Sequence, residues 1–135
     1  MISLNDYFGP WDDSPDATAK VRDCAAELLD RVNDLLTEAE AHGVELQTNP
    51  ATHTLVSGQT LGGFRPQSCK IGSVNSAHKL GRAVDVYDVD EALDNWITDA
   101  ILLHHGLYRE HPSATKKWCH LTDRAPGSGK RTFFP

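Results

Sequence analysis

Two side chains of this sequence, His78 and Asp85, have the types and spacing of a potential metal pair. His78 and Asp85 stand on either side of Gly81, and His120 lies in the short run Lys117-Trp118-Cys119-His120-Leu121 near the C-terminus. The residues after Gly81 read as a strand, because Ala83, Val84 and Val86 are small or β-branched. Alternation puts Asp85 on one face with Ala83 and Tyr87, and turns Val84 and Val86 toward a core. A carboxylate among apolar neighbours is costly unless a cation or hydrogen bonds compensate it. Gly81 allows the chain to double back, which can bring the His78 imidazole and the Asp85 carboxylate to one ion. The plain alternative has Asp85 capping a neighbouring element and His78 in a surface loop.

The longer pattern, Ser76-x-His78-x-x-Gly81-x-Ala83-x-Asp85, resembles the first metal-binding motif of the M15 zinc peptidases. That family contains D-Ala-D-Ala carboxypeptidases, D-Ala-D-Ala dipeptidases and phage L-alanyl-D-glutamate endolysins. His120 is similar in position and context to the metal-binding His of the family's second motif, a Trp/apolar strand. Ser57, Gly58 and Arg65 fill the places of a Ser-Gly and an Arg upstream, with a longer spacer. The resemblance spans residues 44–121. It implies an α+β fold of the hedgehog/DD-peptidase type, with helices packed on one face of a small antiparallel sheet. It also implies zinc held by His78, Asp85 and His120, and a peptidoglycan stem peptide as substrate. Arg65 would bind the substrate carboxylate or polarise the scissile carbonyl, and Ser76 would contact substrate. Two imidazoles and one carboxylate suit catalytic zinc, which keeps a fourth position open for water.

A zinc hydrolase also needs a carboxylate to take a proton from that water. Most members of the family carry it three residues before the second metal-binding His, where this chain has Lys117. The nearest acidic substitutes are Glu110 and Asp123. Glu110 is the better candidate, returned to the site by the loop that follows it, whereas Asp123 can pair with Arg124. The departure at Lys117 leaves two readings open. One is a zinc peptidase cutting D-Ala-D-Ala or L-Ala-D-Glu bonds. The other is a non-catalytic, zinc-stabilised structural or peptidoglycan-binding module of phage or bacterial origin.

Several elements must position these groups. Ser14 as N-cap and Pro15 at the first helical position predict a helix over 15–42. Its stripe is Val21, Ala25, Leu28, Val32, Leu35 and Ala39, and Gly43 ends it. Short strands are expected at 44–47, 54–57 and 117–121, with Trp118 and His120 on one face and Cys119 and Leu121 on the other. A second helix is expected over 91–105, capped by Asp90 and ended by Gly106. His104 and His105 fall in its last turn, where imidazolium complements the helix dipole. Residues 109–116 read as a polar loop, 126–130 as a turn, and Phe133 and Phe134 as a segment packed back on the domain. The glycine-rich stretch 58–63 lacks the Gly-Lys-Ser/Thr of a phosphate loop, and no His-Glu-x-x-His occurs.

The chain has 135 residues, enough for one domain, with 1–13 as a leader anchored by Tyr7, Phe8 and Trp11. A net charge of -6 without a basic run argues against nucleic acid as a partner. The three cysteines, Cys24, Cys69 and Cys119, form no Cys-x-x-Cys pair and fit free thiols in a reducing compartment. The N-terminus has neither a basic nor an apolar region of the signal-peptide kind, and no run reaches membrane-spanning length. A cell-wall enzyme of this kind would be released by phage lysis or carried in a virion.

Overall fold

The computed structural model describes residues 1–135. It is an α+β fold of one long helix, three short ones and a four-stranded mixed sheet. The helices are α1 (Leu4–Phe8), α2 (Ala19–Ala41), α3 (Ala92–Trp96) and α4 (Asp99–His105). The strands are β1 (Ala83–Tyr87), β2 (Tyr108–Glu110), β3 (Trp118–Thr122) and β4 (Thr132–Phe133), in the spatial order β1-β3-β2-β4. β3 pairs antiparallel with β1 and β2, but β4 runs parallel to β2, so the sheet is mixed rather than antiparallel. No helix is long and apolar enough to cross a membrane.

The long helix begins later than the Ser14-Pro15 pair predicts. Thr18 is its N-cap, its hydroxyl accepting from Val21 N–H at 3.2 Å. Ser14 instead caps a turn at Asp16 N–H, and the Asp16 carboxylate accepts from Gln67 N–H at 2.9 Å. The buried stripe of α2 runs from Ala25 through Leu28, Val32, Leu35 and Leu36 to Ala39. Leu28, Leu35 and Leu36 are fully buried, each contributing about 1.5–3 kcal/mol over an exposed position. These side chains join Val84, Val86, Cys119 and Leu121 in one core, with Tyr7 and Phe8 of α1. The sheet therefore presents one face to this core.

The predicted helix over 91–105 is two helices. Ile97 is buried in an extended conformation, and the Thr98 hydroxyl caps Ile101 N–H, so α4 starts afresh. Asp88 caps α3, accepting from Leu93 and Asp94 N–H at 2.9 Å each, while Asp90 reaches Ala92 N–H and, through its other oxygen, the Gln47 side chain. Residues 44–47 form no strand, and the stretch 54–57 makes only two isolated bridges, Thr54 to Asn49 and Val56 to Val86. The start of the predicted polar loop at 109–116 is β2 instead, because its backbone pairs with both β3 and β4.

Candidate metal centre

Strand alternation divides β1 and β3 between two environments. Val84, Val86, Cys119 and Leu121 face the core; Asp85 faces the opposite side, directly across the ladder from His120. The two strands pair antiparallel with Asp85 and His120 in register, and His120 Nδ1 sits 2.8 Å from Asp85 Oδ1. His78 arrives from a turn. Ser76 accepts from the backbone of Lys79 and Leu80, and Gly81 closes the turn at φ 74°. A side chain at Gly81 would run into the Val21 carbonyl of α2.

The orientation of His78 is set from behind. Its Nδ1–H donates to the Gly63 carbonyl at 2.8 Å, which leaves Nε2 bare and 3.4 Å from Asp85 Oδ1. A carbonyl partner of this kind fixes the tautomer of a ligating imidazole. Gly63 itself can only be glycine, since a Cβ would land on the Tyr7 carbonyl. Sequence reasoning missed Gly63, although an adjacent glycine pair ahead of the His motif is the signal for such a close approach.

One donor atom from each of His78, Asp85 and His120 falls within 4.8 Å of the other two, and all three residues are buried. A tetrahedral site with ligand lengths of about 2.0–2.1 Å separates its donors by about 3.3 Å. The observed 3.4 and 2.8 Å are close to that, so the donor set fits a metal ion that favours nitrogen and oxygen. Burial by itself would raise the Asp85 pKa, but the charges and hydrogen bonds of His78 and His120 overcome it and hold the carboxyl well below its usual range. Burial pulls His120 down; the Asp85 hydrogen bond and charge more than offset this and raise it. The Tyr7 hydroxyl, buried and facing the Asp85 charge, is pushed far up and stays neutral, donating to the Ala83 carbonyl.

The cluster forms the floor of an open cleft of about 770 Å³. Arg65, Ser76 and Glu110 line it. Glu110 Oε1 lies 3.9 Å from His120 Nε2. It is brought there by the pairing of β2 with β3, not by a returning loop. Arg65 donates through Nε to the Leu61 carbonyl at 2.8 Å and through Nη2 to Asp85 Oδ2 at 3.4 Å. Asp123 is removed from the cleft by Arg82, at 2.9 Å, and not by Arg124 as its neighbour in sequence would suggest. Lys117 is exposed, in the turn before β3, with φ 76°. Trp118, Thr122, Arg124 and Phe133 also line the cleft. A second hollow, of about 360 Å³ beside α1, contains no histidine, cysteine or arginine.

Compared with known proteins, the chain matches no family model, no curated protein and no solved structure.

Proposed function

We propose that this protein is a zinc-dependent hydrolase of peptidoglycan stem peptides, with a domain of the hedgehog/DD-peptidase type. The observation that carries the hydrolytic reading is the position of Glu110, whose carboxylate stands 3.9 Å from His120 Nε2 beside a His-Asp-His cluster open to a cleft. The choice of stem peptide as substrate rests on the Ser76 to Asp85 motif and on the matching context of His120.

His78, Asp85 and His120 would hold the zinc, which when bound supplies a Lewis acid that polarises a peptide carbonyl and acidifies water at neutral pH. Glu110 would take the proton of the attacking water at its carboxylate and return it to the leaving amine. Arg65 has Nη1 free, next to Asp85, and would steady the oxygen of the scissile carbonyl as charge develops there. Gly63 keeps the His78 proton on Nδ1, so that Nε2 is available as a ligand. Trp118 and Phe133 would restrict water around the reacting bond.

Purified muropeptides test this reading, with release of D-Ala or of cleaved stem peptide as the readout. Glu110→Gln is expected to lower turnover by roughly 10²–10⁴-fold while metal content stays as in wild type. Undiminished turnover would remove Glu110 from the mechanism. A wild-type protein that binds metal yet releases no product would be the non-catalytic, zinc-stabilised module.

A further inference from the structure

Two arginines line the cleft, and they are in different states. On Arg65, Nε is bonded to the Leu61 carbonyl and Nη2 to Asp85. Those two atoms form the side-on fork by which a guanidinium grips a carboxylate. On Arg65 both are occupied within the protein, and the neighbouring Asp85 balances the charge. Arg124 follows β3 and continues the alternation of Trp118, His120 and Thr122, which places it on the cleft side. Its backbone N–H donates to Thr122 Oγ1 at 3.1 Å, and Nη1 donates to the Asn75 carbonyl at 2.6 Å. This second bond ties the end of β3 to the turn that carries Ser76. Nε and Nη2 donate to no protein group, so the fork is left free and already held in place.

Arg124 also has no carboxylate partner. The adjacent Asp123 belongs to Arg82, while Arg22 and Arg109 are paired with Asp12 and Asp94. In a chain of net charge -6, the cleft thus carries a half-buried, uncompensated guanidinium within the same cavity as the metal cluster.

We propose that Arg124, and not Arg65, is the residue that binds the free carboxylate of the ligand in this cleft. The ligand class is a short peptide with an ionised carboxylate next to the bond presented to the cluster. The inference rests on the peptide-hydrolase reading for the nature of the ligand, but its test does not depend on turnover. The carboxylate end would lie toward Asn75 and the end of β3, which leaves Nη1 of Arg65 for a carbonyl. Sequence reasoning gave both roles to Arg65; the occupied fork separates them.

The experiment is calorimetric titration of the zinc-loaded protein with two pairs of probes. These are N-acetyl-D-Ala-D-Ala and its C-terminal amide, and L-Ala-D-Glu and its fully amidated form. Wild type is expected to prefer the free acid of at least one pair. Arg124→Gln should weaken that acid by about 10–100-fold, to the level of the amide, since a hydrogen bond to a charged group is worth that much, and should leave amide binding unchanged. Arg124→Lys should restore only part of the loss, because an ammonium supplies charge without the planar fork. Arg65→Gln should keep the preference for the acid. Equal binding of acid and amide by wild type, no binding of either acid, or an unchanged preference in Arg124→Gln would overturn the proposal. Selective acid binding without hydrolysis would sink the peptidase reading and leave this one standing.

Discussion

Asp85 and Asp94 are both buried carboxylates with an arginine beside them, one on each side of the sheet. Asp85, on β1, is met by His78, His120 and Arg65, and its pKa falls although burial pushes the other way. Asp94, on α3, is met by Arg109 and the Cys119 thiol; there burial prevails, helped by the Asp88 charge, and its pKa rises. Two adjacent residues of β3 serve the two carboxylates, His120 on the cleft side and Cys119 on the core side. Two adjacent residues of β2 do the same, Glu110 toward the cleft and Arg109 toward Asp94. Arg109 also donates to the Asp94 backbone carbonyl at 2.7 Å, so its pair is a clasp between β2 and α3. The difference lies in what converges on the carboxylate. Two imidazole nitrogens beside one oxygen of a carboxylate that opens on a cleft could hold a cation, with the Arg65 guanidinium on the other oxygen. One guanidinium that is also bonded to backbone makes a structural fastening.

The sharpest way to break the contrast is to remove a nitrogen from the cleft side. His120→Ala should reduce bound zinc from one ion per chain to essentially none in elemental analysis, and should abolish hydrolysis with it. Retained metal would take His120 out of the centre. On the other side, Arg109→Met leaves Asp94 buried without its partner. Denaturant unfolding should show a loss of about 3–5 kcal/mol, the usual cost of stranding one member of a buried pair, while zinc content is unchanged. A variant as stable as wild type would show that the clasp contributes little.

The smallest effect concerns pH. A carboxyl whose folded pKa is raised binds its proton more tightly in the native state, so its contribution falls as pH rises. Stability measured for wild type against Asp94→Asn should therefore be most favourable to wild type below the ordinary value of 3.8 and decline as pH climbs through the raised folded value. Asp85 has the opposite sign. In metal-free protein its contribution is present above 3.8 and is lost as pH falls through the lowered folded pKa. Parallel slopes for Asp94→Asn and Asp85→Asn would erase the distinction between the two sides.

Much of the cleft face could be read from local pattern. Alternation alone assigned Asp85 against Val84 and Val86, and His120 against Cys119 and Leu121, and the core contains the four expected residues. The stripe of α2 was equally legible, because its period is that of the helix itself. Reading failed where two local signals competed. Ser14-Pro15 and Thr18 both offer a helix start; Thr18 is the one that caps it, while Asp16 is engaged by Gln67, far along the chain. Thr98 is unremarkable inside an apolar helical pattern, yet its hydroxyl restarts the helix once Ile97 is held in the core. Arg124 is open to the same alternation as His120, but its neighbour Asp123 competes as a partner in the local pattern.

The sequence by itself determined which side chains share a face, since that depends only on backbone period within one segment. Its motif likeness also named His78, Asp85 and His120, three residues that the fold brings together. Tertiary structure alone decided what these faces meet. The register of β1 on β3 put Asp85 opposite His120, and the pairing of β2 with β3 carried Glu110 to the cleft. The reach of Arg82 to Asp123 freed Arg124. Each of these is a contact between segments distant in the chain, set by hydrogen-bond ladders and close packing that no local spacing records.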